Sequence, residues 1–315
     1  MFNLKVKKPK FWDYKNLSFF SVLLLPFIFL TLAVNFIKKL QNKKNYSIKT
    51  ICVGNIYIGG TGKTPLVIKI NDKLKNKFKT VFIKKNYYDQ IDEQKLLREK
   101  GNIIIDNKRH FALKKAIEEK YELAIIDDGL QEKNINYDIS IACFNGAVGF
   151  GNGMMIPSGP LRESLSELKS YNAVFINNAT EENYIEKKIK LINKNIKIFY
   201  GEYVVSKEKK YDLNKNYVAF CGIGNPESFL STLKKNNFKI SEFLSYPDHY
   251  NYSENDLKKI KKIADLKNLS IITTEKDYIR LDDEKKKEIE YLKIYVQIKN
   301  EEKLLEFLNG KLWKN

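Results

Sequence analysis

Residues 48–78, IKTICVGNIYIGGTGKTPLVIKINDKLKNKF, constrain the fold of this chain more than any other stretch. The apolar run through Ile51, Cys52 and Val53 has strand character, and beyond the glycines Leu66, Ile70 and Leu74 recur at helical spacing. A strand that enters a glycine-rich turn and leaves as a helix points loop N–H groups and a helix N-terminus at one spot, where a phosphate is received. Gly59, Gly60 and Gly62, with Thr61 among them, permit close backbone approach and positive φ angles. Lys63 then supplies charge at the β- and γ-phosphates, and the Thr64 hydroxyl is a magnesium ligand. A standard G-x-x-x-x-G-K-[ST] loop would open with glycine at position 57, where this chain has Tyr57.

The runs KTVFIKK, NIIID and YELAIIDDGLQ follow as further strands, each of the first two leading into a helix-compatible stretch. This alternation predicts an α/β fold with mostly parallel sheets and a site at the carboxyl ends of the strands. Asp127 and Asp128 close the third run, where carboxylates can hold magnesium over a triphosphate. Residues 144–168 gather five glycines and two prolines without periodicity of their own and read as an active-site loop, with Arg162 and Glu163 near its end. Residues 200–215 are polar and aperiodic and read as a connector. Beyond them NYVAFCGIGNPESFLSTL restarts the pattern as strand, glycine turn and helix, with Asn225 as N-cap and Pro226 at the first helical position. Three regions result: residues 1–44, a phosphate-loop domain at 45–205, and a second α/β domain at 206–315.

The N-terminal region has its own logic. From Asn16 to Ile37 no residue is charged, which is enough apolar chain to cross a bilayer or, with Pro26 near its middle, to dip into one leaflet as a kinked helix. A signal peptide and a buried core helix compete with this reading. Lys5, Lys7, Lys8, Lys10 and Lys15 precede the segment and Lys38, Lys39, Lys43 and Lys44 follow it, so charge does not orient it. The formal net charge of +18 favours an anionic partner, whether nucleic acid, acidic membrane or phosphorylated substrate. Lysine supplies 52 of the 56 basic residues, which makes the few arginines and the two histidines worth locating; Arg162, Arg280 and His249 all fall in motif-like stretches. Cys52, Cys143 and Cys221 each sit in an apolar run, without metal-ligand spacing, and read as buried small hydrophobes of a reduced compartment.

In order along the chain, VGNIYIGGTGKTP, DDGLQ, FGNGMMIPSGPLRE, GIGNPESF, YPDHYNY and TTEKDYIRL resemble the tetraacyldisaccharide 4'-kinase family of Gram-negative bacteria. The resemblance implies a lipid kinase that uses ATP and Mg2+ to phosphorylate the 4'-hydroxyl of an acylated disaccharide 1-phosphate, giving lipid IVA in lipopolysaccharide synthesis. It implies an anionic inner-membrane surface as the working place, with the catalytic domains facing the cytoplasm, no nucleic acid, and no obligate protein partner. Carried over by position, Lys63 and Thr64 serve phosphates and metal, and Asp127, Asp128 and Glu163 lie on the metal side. Asp92 in IDEQKLL becomes the candidate base for the sugar hydroxyl with Glu93 beside it, and His249 its partner.

The chain departs from the family's pattern in two places. KKNYYDQ at 84–90 replaces an Arg-Gly-Tyr-Gly-Gly stretch, with Lys84 or Lys85 available to restore the charge, and Glu132 stands where a histidine is common. Lys276, Asp277 and Arg280 complete the substrate cleft or form structural pairs. The rival function is a membrane-associated NTPase acting on a protein partner, and a weaker one is a nucleotide-binding scaffold without catalysis.

Overall fold

A computed structural model describes residues 8–14, 16–88, 90–178 and 184–313. Of the residues singled out above, Lys5, Lys7, Lys15 and Asp89 lie outside them. In chain order the strands are β1 (Lys49–Gly54), β2 (Thr80–Lys85), β3 (Ile103–Asp106), β4 (Leu123–Asp127), β5 (Ile139–Asn145) and β6 (Ala173–Asn177). They continue as β7 (Lys197–Val205), β8 (Asn216–Cys221), β9 (Lys239–Ser245), β10 (Ser270–Thr274), β11 (Ile289–Leu292) and β12 (Ile294–Lys299). The polar stretch read as a connector therefore begins inside a strand, since β7 runs to Val205.

The chain forms two compact units. The first comprises Lys8–Asn86, Leu97–Glu202 and Val296–Asn315. Its eight-stranded sheet has the order β12-β7-β6-β5-β1-β4-β2-β3. Strands β1, β4, β5 and β6 are buried along nearly their whole length. Helices on a parallel sheet cover both of its faces, which is why these segments read as unbroken apolar runs without alternation. Fully burying each Val or Ile of such a run contributes about 1.5–3 kcal/mol. The chain leaves β1 toward β2 and β3 and later returns to build β5, β6 and β7 on its other flank. The carboxyl end of β1 is therefore a topological switch point, where open α/β sheets bind ligands. The second unit comprises Tyr87–Leu96 and Tyr203–Tyr295, and its four-stranded sheet has the parallel order β11-β10-β8-β9. Asn225 caps the helix Pro226–Lys235 through Ser228 N, as its sequence predicts.

The N-terminal segment differs from a single spanning helix. Ser18 caps a helix at Phe19–Leu23, a 3-10 turn follows at Leu25–Phe27, and a second helix runs over Ile28–Lys39. Pro26 in the turn cannot continue a hydrogen-bonded ladder, and it divides the apolar stretch. The longer helix has 12 residues. At 1.5 Å per residue that is about 18 Å, short of the roughly 30 Å hydrocarbon core. Among the described residues no helix is long and apolar enough to cross a membrane. The helix Ile28–Lys39 is also inverted relative to a water-facing one. Thr31 and Asn35, one turn apart, donate inward to Ile156 O and Arg162 O, while Phe29, Leu30, Phe36 and Ile37 are exposed.

Candidate active-site residues

In the first unit, the loop between β1 and the helix Lys63–Leu74 is held by its own polar groups. Asn55 is fully buried, and its side-chain amide donates to Tyr57 O and to Gly59 O, at 3.2 Å for the latter. Gly59 and Gly62 take φ values of 112° and 89°, open to glycine at little cost, and Gly62 caps the helix that begins at Lys63. Tyr57 is not among the positive-φ residues. It pairs in antiparallel fashion with Leu161, Ile58 N donates to Pro160 O at 2.9 Å, and Arg162 N donates to Ile56 O at 2.7 Å. Its hydroxyl meets Asp13 and receives a bond from Lys8 Nζ. The position that is glycine in a standard loop is here an extended strut joining the loop to the segment before Glu163.

Parallel pairing of β1 with β4 sets Val53 opposite Asp127, so the two aspartates lie beside the loop. Asp127 is fully buried. Its Oδ2 accepts from Thr64 Oγ1 at 3.2 Å and from Lys84 Nζ at 2.7 Å, whereas its Oδ1 has no hydrogen-bond partner. Asp128 adopts the left-handed conformation at φ 58°. Arg162 grips it with two bonds, at 2.7 and 3.2 Å, and Lys63 Nζ stands 3.8 Å from Oδ1. Burial alone would raise the Asp128 pKa, but Lys63, Arg162 and Lys84 outweigh it and hold the carboxyl well below its ordinary range. Arg109, itself buried, donates to both aspartate carbonyls, at 3.2 and 2.7 Å, and pairs with Glu132 at 2.6 Å. Thr61 is buried, and its hydroxyl has no hydrogen-bond partner.

Glu163 is buried in a different company. It takes an ion pair from Lys133 at 2.8 Å and hydrogen bonds from Tyr171 at 2.9 Å and Gln131 at 3.2 Å. Gln131 also donates to Asn55 O at 2.9 Å, which links Glu163 to the loop rather than to the aspartates. Among the described residues no group of three or more His, Cys, Asp or Glu side chains is gathered to hold a metal ion. All three cysteines are buried and unbridged, and burial pushes their thiols far above the ordinary value.

The Lys84–Asp127 pair lies wholly out of solvent. Replacing one member of such a pair strands the other charge, so Lys84→Met should lower unfolding free energy by about 3–5 kcal/mol. Urea denaturation measures this, and an unchanged midpoint would show that Asp127 is not left as an uncompensated buried charge.

In the second unit, Asp92 lies in the first turn of the helix Ile91–Lys100 and is almost fully buried. Its Oδ1 is 3.1 Å from His249 Nδ1, and its Oδ2 accepts from Arg280 at 2.6 Å. His249 is half-buried and takes φ 55°, and its N–H donates to Gly222 O at 3.0 Å. Neighbouring Glu93 is paired with Lys276. Burial would raise the Asp92 pKa, yet the His249 hydrogen bond and the Lys276 and Arg280 charges together hold it well below the usual carboxylate range. Gly222 is structural. A Cβ there would meet Pro247 O, Tyr250 and Tyr252 at 3.0 Å each, and its N–H is already spent on Asp277.

Comparison with known proteins decides what these residues belong to. A family model described as "Tetraacyldisaccharide-1-P 4'-kinase" matches residues 18–313. The chain belongs to the tetraacyldisaccharide 4'-kinase family. The tetraacyldisaccharide 4'-kinase of Pelagibacter ubique is 50% identical over 304 residues, 96% of each chain. That of Rickettsia bellii is 32% identical over 299 residues, covering 89% of this chain and 91% of its own. In fold the chain is similar to the crystal structure of LpxK from Aquifex aeolicus in complex with ATP, with a TM-score of 0.72 and 24% identity over 93% of this chain and 99% of that one.

Several residues of this family member's sites carried little signal in its sequence. Asn55, Gln131 and Lys133 act through hydrogen bonds that cross between motifs. Arg109 had a signal in being one of very few arginines, but it stands outside the motif-like stretches. Glu132 is that arginine's partner.

Proposed function

We propose that this chain transfers the γ-phosphate of ATP to the 4'-hydroxyl of a tetraacyldisaccharide 1-phosphate, the step that yields lipid IVA on the way to lipid A. The observation that carries the reading is 50% identity to a tetraacyldisaccharide 4'-kinase along 96% of both chains. Phosphoryl transfer asks a protein mainly for alignment and for neutralisation of charge. The N–H groups around Gly59–Gly62 and the helix N-terminus at Lys63 cradle the phosphates, and the Lys63 ammonium draws charge from the transferring group.

Oxygen donors at Thr64, Asp127 and Asp128 fit Mg2+, which keeps several waters and needs only one or two carboxylates. The fit rests on Asp127 Oδ1, a buried oxygen without a partner, beside Thr64 Oγ1 at 3.2 Å from Oδ2. Held by these oxygens, the ion would supply positive charge to offset that of the phosphates. Glu163, through Gln131 and Asn55, steadies the loop from its other side. Asp92 orients the acceptor hydroxyl, and His249 orients Asp92. A carboxylate with so low a pKa takes the hydroxyl proton late, once the forming phosphate ester has made it acidic.

The substrate is a lipid, and the inverted N-terminal helices suit an anionic membrane surface at the cytoplasmic face of the inner membrane. Their apolar side chains face outward, and lysines flank them. Phe29→Asp with Leu30→Asp should abolish co-flotation with phosphatidylglycerol vesicles and leave ATP affinity within about two-fold, since charge in the interface costs far more than it does in water. Equal flotation of variant and parent would remove these helices from membrane binding. The function itself is tested by incubating the protein with γ-labelled ATP and the disaccharide. Label in the lipid supports the kinase, and label only in free phosphate supports an NTPase.

A further inference from the structure

Asp277 is fully buried at the start of the helix Glu275–Arg280. Three donors fix its carboxylate: Gly222 N at 3.0 Å, the Tyr252 hydroxyl at 2.9 Å and the Thr274 hydroxyl at 2.6 Å. One turn along, Arg280 sets its first terminal nitrogen on Asp277 Oδ1 at 3.2 Å and on the carbonyls of Gly222 and Tyr250 at 3.3 Å each. Its second terminal nitrogen reaches Asp92 Oδ2 at 2.6 Å and His249 Nδ1 at 3.1 Å. The guanidinium thus spans from a rigid anchor to both members of the Asp92–His249 pair.

That geometry creates a choice at one atom. His249 Nδ1 stands 3.1 Å from Asp92 Oδ1, which only accepts, and 3.1 Å from Arg280, which only donates. A single ring nitrogen satisfies one of them. With Asp92 ionised, the charge-assisted N–H···O bond prevails, and Arg280 directs its short bond to Oδ2. Each Asp92 oxygen then has its own donor, and the carboxylate is held in one plane and one rotamer.

We propose that Arg280, anchored on Asp277, is a positioning residue for the acceptor chemistry: it holds Asp92 ionised and oriented, with one oxygen reserved for His249. This rests on the reading that Asp92 and His249 serve the acceptor hydroxyl. The other charged or titratable groups around the pair are Glu93 and Lys276, which bond each other, Asp248 at 3.8 Å from His249 Nε2, and the Tyr250 and Tyr252 hydroxyls, bonded to Asp256 and Asp277. Of the cations, Arg280 alone is hydrogen-bonded to Asp92 among the described contacts. The depressed Asp92 pKa has the His249 hydrogen bond and the Lys276 charge as its larger lowering causes, with the Arg280 charge adding to them.

A merely structural Arg280 would leave the protonation of Asp92 alone. Arg280→Met in the full chain should lower kcat about 100-fold, the cost of a misplaced catalytic group, with KM for ATP within two-fold. The acid limb of kcat/KM should climb toward the ordinary aspartate value of about 4. Arg280→Lys should keep the limb low through its charge while kcat stays reduced, because a point charge cannot fork between Asp277 and Asp92. Asp277→Asn, with the guanidinium intact but unanchored, should also lower kcat, and it carries the test if Arg280→Met does not fold.

Carboxyl 13C titration, with Asp92 assigned by difference from Asp92→Asn, reads the same coupling without any lipid. Its midpoint should rise in Arg280→Met. An Asp92 titration and pH profile unmoved in Arg280→Met would overturn the proposal. A wild-type protein that phosphorylates no lipid would instead overturn the reading of the acceptor site, and the 13C titration would still decide the coupling.

Discussion

Asp92→Asn is expected to lower kcat for lipid phosphorylation by about 1,000-fold while the Kd for ATP stays within about two-fold. Asparagine keeps the shape and can still bond Arg280, but it cannot take a proton. The loop at residues 59–64, proposed to receive the nucleotide, lies in the other compact unit, so ATP affinity is the internal control. The substitution also tests linkage. A carboxyl whose pKa is depressed on folding contributes stability above its unfolded value near 4, and loses it as pH falls toward the folded value. The parent should therefore lose stability between roughly pH 5 and pH 2 by more than Asp92→Asn does. Steady-state kinetics and pH-dependent urea melts check the two halves. Wild-type turnover in a folded Asp92→Asn would end the base assignment.

Lys63→Ala should be at least as damaging, with kcat/KM for ATP down by about 1,000-fold or more, because a cation aimed at developing charge in a water-poor site is worth about 4 kcal/mol. The ammonium is also one of the charges that keep Asp128 ionised, and it stands 3.8 Å from it. Its removal leaves Arg162 and Lys84 to hold that carboxylate. Lys63→Arg should recover little, since a planar fork does not fit where a point charge nests in a backbone cradle. Single-turnover transfer with saturating lipid separates loss of binding from loss of chemistry. Substantial transfer by Lys63→Ala would take the loop out of the mechanism.

How far the sequence revealed these sites depends on the range of the forces involved. The strand, loop and helix at residues 48–78 were legible because glycines, a lysine and apolar spacing act locally, and the parallel sheet follows from buried runs such as LAIID. Tyr57 departs from the standard loop because that pattern is written for a loop with glycine there. The structure gives that position an extended backbone braced on Leu161, where a side chain is an asset.

The apolar N-terminus misled in the opposite way. Pro26 was legible as a kink, but hydropathy counts residues and not directions, and so could not see Thr31 and Asn35 turning the polar face inward. The bond between Asp92 and Arg280 spans 188 residues, and nothing local to either announces it. Burial of Lys84, near the end of β2, against Asp127 was invisible for the same reason, although Lys84 and Lys85 stood out as the charges available there.

The central claim is that this chain phosphorylates one particular hydroxyl. Its most direct test is 31P and 1H NMR of the lipid recovered after incubation with ATP, Mg2+ and tetraacyldisaccharide 1-phosphate. The account predicts a second phosphomonoester signal, coupled to the proton on the 4' carbon of the disaccharide and absent when Lys63→Ala or Asp92→Asn replaces the parent. An unmodified lipid beside accumulating inorganic phosphate, or a phosphate on any other hydroxyl, would contradict it.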